Sequence, residues 1–171
     1  MSLINGLPAH VLLVHLVVVL VPLSALALVV CAVWPPAARR LGLILPVLAF
    51  VALVSVPLTT QAGEWLERHV DDTALVRRHA ELGDGLLPWA GGVFLLAVAV
   101  WWVLGRRPAP EAAAPATAGP MAVGTAVRIA AGVLSAVVAV GAVVDVYRIG
   151  DSGAKAAWTG GYSKTATGGK G

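Results

Sequence analysis

Long apolar stretches alternate with short polar interruptions along this chain. A bilayer with a hydrocarbon core of about 30 Å is crossed by about 20 mostly apolar residues in a helix. Inside hydrocarbon the backbone must satisfy its own hydrogen bonds, and the stretches lack the apolar–polar alternation of barrel strands, so each is expected to be helical. Four stretches meet this requirement: His10 to Trp34, Leu41 to Ala62, Leu86 to Leu104, and Met121 to Ile149.

The pattern therefore predicts an all-α protein, an integral membrane four-helix bundle formed by residues 1–150. The Trp-Pro-Pro segment at residues 34–36 is expected to end the first helix, since proline lacks a donor and restricts the residue before it. Residues 109–120, which are rich in proline and alanine, are typical of a linker. Residues 151–171 are predicted to form a polar, flexible C-terminal tail.

The loop between the second and third spans carries a helical pattern of its own. Asp72 is expected to cap a helix that begins at Thr73. Leu75, His79 and Leu82 would then share one face, at positions i, i+4 and i+7. His79 is therefore predicted to point to the apolar side of a helix that leads into the third span.

The composition supports a membrane location. Hydrophobic residues make up 58% of the chain and charged residues only 12%, with a mean hydropathy of +0.86, whereas a soluble domain carries about 25% charged residues. The chain is therefore expected to be a multi-pass protein of the cell membrane, surrounded by the lipid bilayer. Its net charge of +3 is small and scattered, so no nucleic-acid partner is expected.

Arginines set the expected orientation in the membrane. Cytoplasmic loops are enriched in Lys and Arg, while acids count little. The first loop carries Arg39 and Arg40 without an acid, and the third carries Arg106 and Arg107 against Glu111. These two loops are therefore predicted to face the cytoplasm, with both termini on the outer side.

All four histidines map to the outer ends of the predicted helices, together with several other ionisable groups. An ionisable side chain inside a membrane is costly and marks a functional site by default. The histidines are His10, His15, His69 and His79, and the other groups are Glu64, Asp145, Arg148 and Asp151. Asp145 and Arg148, three residues apart on one helix, are expected to pair with each other.

The histidines are candidate ligands of a cofactor. His10 and His15 lie about 140° apart around one helix, so both cannot squarely face one ion. Ligands from different helices are expected instead, with His15 and His79 as the first pair and His10 and His69 as the second. Such a pair could hold the iron of haem b axially. A transition metal ion (copper, zinc or non-haem iron) could be bound by the set His10, His15, Glu64 and His79.

The alternative is that the histidines are hydrogen-bonded structural residues at a wet helix end. The motifs of common enzymes are missing. No C-x-x-C-H is present for covalent haem attachment, and there is no phosphate-binding glycine loop, H-E-x-x-H or nucleophile elbow. Ser135 and Ser152 have no base at motif spacing. Whether the chain is an enzyme stays open, and a redox accessory protein is the nearest class.

Several segments resemble a bacterial family of small multi-pass membrane proteins known only as a domain of unknown function. Residues 6–15, Gly-Leu-Pro-Ala-His-Val-Leu-Leu-Val-His, are similar to that family's opening pattern H-P-x-x-V-H-F-P, with Val11 in place of the proline. Further similar segments are residues 59–67, 79–84 and 150–154. Histidine often precedes the Ser-Gly-Ala stretch in the family, where this chain has Asp151. The resemblance implies a four-helix membrane domain, in an arrangement that looks like that of small membrane cytochromes.

Two functions are compatible with these features. The first is a membrane protein of the redox or electron-transfer type, which binds haem or a transition metal near the outer face and has a membrane redox partner or forms a homo-oligomer. The second is a non-catalytic membrane subunit or scaffold that packs against partner proteins, suggested by the small residues Ala131, Ser135 and Ala139 on the fourth span. A transporter is disfavoured, because the inner halves of the spans carry almost no polar groups.

Overall fold

The computed structural model describes residues 3–4, 6–105 and 124–159. The long helices are α1 (Ala9–Val33), α3 (Ile44–Glu67), α5 (Leu86–Val100) and α6 (Thr125–Trp158), and the short ones are α2 (Pro35–Leu41) and α4 (Ala74–Asp84). A π-helical turn, Trp101–Gly105, continues α5. Before α1, strand β1 (Leu3–Ile4) pairs antiparallel with strand β2 (Leu7–Pro8). The predicted linker at 109–120 lies outside the described residues.

Four helical segments are long and apolar enough to cross a membrane: Ala9–Val33, Ile44–Glu67, Ala74–Gly105 and Thr125–Trp158. The third segment combines α4, α5 and the π-helical turn. At 1.5 Å per residue, even the 24 residues of α3 extend about 36 Å, more than the hydrocarbon core of about 30 Å. The predicted all-α, four-helix membrane architecture is confirmed, while the side on which the termini lie stays a prediction.

The four segments run alternately up and down. At one end of the bundle, His10 at the start of α1 contacts Gly63 near the end of α3. At the opposite end, the side chain of Val33 approaches Gly132 near the start of α6. This connectivity brings the start of α1, the end of α3, α4 and the end of α6 to the same end of the bundle, called here the histidine end.

Small side chains fill the interior, and large apolar side chains cover the outside. Cys31, Ala97 and Ala142 are completely buried, whereas Leu26 and Leu95 are 63% and 67% exposed. Small residues allow close contact between helices, and lipid tails surround the exposed apolar side chains. The bundle is therefore apolar inside and outside, as expected of a membrane protein.

Helix boundaries near the first two loops differ in detail from the prediction. Helix α1 ends at Val33, as the Trp-Pro-Pro segment indicated, but Pro35 then begins α2, because proline is favourable in the first turn of a helix. Thr73, and not Asp72, caps α4: its hydroxyl accepts a hydrogen bond from Val76 N at 3.2 Å. Asp72 forms an ion pair with Arg77 instead.

Helix α6 extends farther than the prediction. Residues 151–158, assigned from the sequence to the flexible tail, continue α6 to Trp158. The extension is supported by an ion pair one helical turn apart, between Lys155 and Asp151 at 2.7 Å, and by burial of Ser152. The remainder of the predicted tail, residues 160–171, lies outside the described residues.

Two buried hydroxyls, those of Ser24 and Ser135, have no hydrogen-bond partner among the described residues. Ser24→Ala is therefore expected to leave the free energy of unfolding unchanged or to raise it by up to about 1 kcal/mol. Ser55→Ala is the matched control, because Ser55 Oγ donates to the Ala52 carbonyl at 2.7 Å and its loss should cost about 0.6 kcal/mol. Unfolding titrations in detergent measure both changes. A larger loss for Ser24→Ala than for Ser55→Ala would contradict the expectation.

Candidate functional site

His10 lies in the first turn of α1 and packs against the end of α3. Its Nδ1 atom lies 3.0 Å from the backbone carbonyl oxygen of Thr59. The ring also covers Gly63, where an added Cβ atom would come within 3.0 Å of Nδ1. Glycine at residue 63 therefore provides the space that the His10 ring occupies between the two helices.

His79 projects from α4 onto the end of α6. Its Nδ1 atom lies 3.1 Å from the Ile149 carbonyl oxygen and 3.0 Å from Ser152 Oγ. The Ser152 hydroxyl donates in turn to the same carbonyl at 2.8 Å. The ring covers Gly153, where an added Cβ would lie 2.9 Å from the ring atom Cε1. The predicted direction of His79, towards the apolar side of its helix, agrees with this half-buried position.

The rings of His10 and His79 meet at the histidine end. Their centroids lie 6.1 Å apart, with the ring planes at 84°. A carbonyl oxygen can only accept a hydrogen bond, so each neutral ring carries its proton on Nδ1 and keeps a lone pair on Nε2. Neither Nε2 atom has a hydrogen-bond partner within the described part of the chain. Metal-binding histidines are commonly held in this way, with the second ring nitrogen on a carbonyl.

The pairing differs from the one predicted. His79 meets His10, and not His15, so the structure combines one member of each predicted pair. His15 is exposed on α1, with Nδ1 donating to the Val11 carbonyl at 2.6 Å. His69 is also exposed: its Nδ1 donates to the Trp65 carbonyl at 2.7 Å, and its ring stacks on the Trp65 ring with centroids 4.0 Å apart.

The rotation of α1 about its axis explains the difference. His10 lies 14 and 21 residues before Ser24 and Cys31, on the stripe of small residues that is completely buried. His15 lies on the stripe of Val19 and Leu26, which are 60% and 63% exposed. The sequence signal that indicates His10 is its spacing from the small residues Ser24 and Cys31.

Glu64 does not join the histidine pair. It is exposed, and its nearest charged partner is Arg68, at 3.8 Å on the same helix. Among the described residues, no group of three or more His, Cys, Asp and Glu side chains could hold a metal ion. The predicted set of His10, His15, Glu64 and His79 is therefore not assembled, and what the structure brings together is two histidines.

The sequence did not predict the contacts of Ser152, Gly63 and Gly153 with the histidine rings. Ser152 has no base at motif spacing along the chain, and the contact with His79 is made across 73 residues. This contact does not activate Ser152 as a nucleophile, because Nδ1 must carry a proton to bond the Ile149 carbonyl. Gly63 and Gly153 are glycines inside helices, which is costly without a packing reason and was the available signal.

The polar cluster on α6 lies beside the histidine pair and divides into separate groups. Asp145 is half-buried, and its Oδ2 atom is buried without a hydrogen-bond partner among the described residues. This oxygen faces Gly85, where an added Cβ would lie 3.6 Å from Oδ2. The predicted ion pair between Asp145 and Arg148 is not formed. Asp151 is paired with Lys155. Arg148 is exposed, and it interacts electrostatically with the Asp145 carboxylate without a direct ion pair.

The fold and the site together define a small multi-pass membrane protein that carries a pair of imidazoles at one end of its bundle. Residues 6–166 match the model of the family DUF2231, described as predicted membrane protein, and the chain belongs to this family. The resemblance noted in the sequence is thereby confirmed, as is the multi-pass membrane location. No characterised protein and no solved structure matches the chain significantly. The family description assigns no activity.

Proposed function

We propose that this membrane protein binds a transition metal through the Nε2 atoms of His10 and His79, as a free ion or as the iron of haem b, and acts in electron transfer. The observation that carries the proposal is the meeting of two imidazole rings from separate helices, 6.1 Å apart. Each ring is held by a hydrogen bond from Nδ1 to a backbone carbonyl: His10 donates to Thr59, and His79 donates to Ile149.

The surroundings of the two rings fit such a metal. Neutral imidazole nitrogens suit zinc, copper, iron and nickel, with a nitrogen–metal distance of about 2.0–2.1 Å for zinc. Two protein ligands leave coordination positions open for water or a small molecule. The Thr59 and Ile149 carbonyls and Ser152, which hold the Nδ1 atoms, fix the tautomer and raise the basicity of Nε2. A free ion needs only the space between two ring edges, whereas haem also requires room for its macrocycle, so the ion is the simpler occupant.

The chemistry that a bound copper or iron centre would supply is the transfer of single electrons. The chain itself contributes the orientation of the two rings and an apolar bundle beneath them. The arginine pattern predicts that the histidine end faces outward, which would place the centre beside a membrane redox partner or a second copy of this chain. A scaffold role has less support, since Ser135 and Ala139, two of the small residues that suggested it, are buried inside the bundle.

Purified protein is expected to contain a stoichiometric amount of transition metal when it is produced with haem and metals in excess. Purification in mild detergent, elemental analysis and an absorption spectrum measure this, and an intense Soret band distinguishes haem from a free ion. Removal of the metal by a chelator should lower the unfolding temperature, because a ligand that binds only the folded state stabilises it. Readdition of the metal should restore the temperature. Colourless, metal-free protein with unchanged stability would contradict the proposal.

Gly153→Ala is expected to weaken metal binding about 10- to 100-fold, the usual cost of disturbing the shell around a ligand. Its Cβ would lie 2.9 Å from Cε1 of His79 and displace the ring. Gly150→Ala is the matched control on the same helix, since an added Cβ there meets no atom of the described residues within 4 Å. Titration with Cu²⁺ and with Zn²⁺ compares the two variants, and equal affinities would exclude His79 in its present position as a ligand.

A further inference from the structure

A cleft with a volume of about 580 Å³ lies between α4 and α6, at the surface of the histidine end. Side chains from both helices line it, among them Arg78 and Leu82 of α4 and Tyr147, Arg148, Asp151 and Lys155 of α6. We propose that this cleft binds the phosphate group of an anionic membrane phospholipid. The proposal does not depend on a metal at the histidine pair, although Ser152 borders both places.

The charges in the cleft favour an anion. Lys155 and Asp151 neutralise each other through an ion pair of 2.7 Å. Arg78 and Arg148 are exposed and form no ion pair with any described residue. The cleft therefore presents two guanidinium groups from different helices that are held in no direct ion pair, and only that of Arg148 acts electrostatically on a nearby acid, Asp145. A guanidinium group matches the geometry of phosphate oxygens through paired N–H donors.

The position along α6 places the cleft at the level of lipid headgroups. Between Ile129 and Val144 the helix carries no charged residue. This stretch rises about 23 Å at 1.5 Å per residue, most of a hydrocarbon core of about 30 Å. Arg148 follows one turn later, where hydrocarbon gives way to polar headgroups. Tyr147, which is 73% exposed, lies where aromatic side chains of membrane proteins are enriched.

The apolar part of the cleft favours a lipid over free phosphate. Leu75 and Leu82 of α4 provide an apolar wall beside the two arginines. An acyl chain attached to the bound phosphate could continue along the exposed apolar surface of α6, for example over Val140 and Val144. Basic clefts between membrane helices bind anionic headgroups through this combination of charge and apolar contact.

Retention of lipid by the full-length protein tests the proposal. The detergent-purified protein is mixed with equal amounts of phosphatidylglycerol and phosphatidylcholine that have the same acyl chains, and bound lipid is counted by native mass spectrometry. We expect a preference for phosphatidylglycerol. Arg78→Gln and Arg148→Gln should each reduce that preference about fivefold, and the double variant should abolish it. Arg77→Gln is the matched control, because Arg77 is paired with Asp72 and lies outside the cleft.

Each outcome decides between the sources of the anion. Preference lost with Arg78 and Arg148 but kept with Arg77→Gln supports a lipid phosphate in the cleft. Equal retention of the two lipids, or an unchanged preference in the double variant, overturns the proposal. Displacement of phosphatidylglycerol by millimolar inorganic phosphate would also overturn it, since the cleft would then select free phosphate. Because the exposed arginines do not support the core, circular dichroism should show unchanged helical content in all variants.

Discussion

His10→Ala and His79→Ala are each expected to weaken metal binding by more than about 100-fold, beyond the usual effect of disturbing a residue that only holds a ligand in place. Removal of either imidazole leaves one protein ligand at the histidine end, because no third His, Cys, Asp or Glu side chain among the described residues completes the site. Affinities for Cu²⁺ and Zn²⁺, measured on detergent-purified protein with a competing chelator, check this expectation.

His15→Ala and His69→Ala are the matched controls for these variants. Both residues are exposed histidines at the same end of the bundle. His15 donates Nδ1–H to a carbonyl of its own helix, and His69, two residues beyond α3, donates to a carbonyl in the last turn of that helix. Each of these two variants therefore removes one imidazole without disturbing the pair of His10 and His79, and its metal affinity should equal that of the unaltered protein. If His15→Ala lost the metal while His10→Ala kept it, the assignment of His10 would be wrong and the pairing expected from the sequence would be right.

Gly141→Ala is expected to lower the free energy of unfolding by about 1–3 kcal/mol, the typical cost of overpacking a core. The indole of Trp89 lies directly over Gly141, and an added Cβ there would clash with the ring carbons. These atoms belong to a rigid ring, so either the whole indole must rotate away or α5 must separate from α6. Unfolding titrations in mixed detergent give the size of the change.

Two further variants separate this clash from a general effect of alanine. Gly91→Ala, on α5, adds a Cβ that meets nothing within 4 Å in the described part of the chain. It should therefore be neutral or slightly stabilising, since alanine favours helix. When Trp89→Leu is combined with Gly141→Ala, the double variant should recover part of the stability lost in Gly141→Ala, because the smaller and more flexible leucine can move away from the added Cβ. Equal destabilisation by Gly91→Ala and Gly141→Ala would contradict the packing of Trp89 on Gly141.

The membrane fold could be predicted from the sequence because its cause is local. A run of about 20 apolar residues forms a helix in hydrocarbon whatever lies beside it, and all four spans were located on this basis. The end of α6 was missed because the polar residues 151–158 lack an apolar signal. They are helical through contacts that the sequence does not show, such as that of Ser152 with His79.

The sequence could predict at which end of the bundle the candidate site lies, but not which two histidines meet there. Which histidines meet depends on the rotation of α1 and on the packing of α4 against α6, and both are set by contacts between distant segments. The small residues Ser24 and Cys31 indicate which face of α1 points into the bundle, since small side chains mark the inner face of a membrane helix. Gly63 and Gly153 indicate where the rings of His10 and His79 pack, because each ring lies against one of these glycines.

X-ray absorption at the edge of the bound metal tests the central claim most directly, because it counts the imidazole ligands. The account predicts two histidine nitrogens at about 2.0–2.1 Å in the unaltered protein and a single one in His79→Ala loaded at high metal concentration. A spectrum without histidine scattering, or one that does not change when His10 and His79 are both replaced, would show that these two rings do not bind the metal.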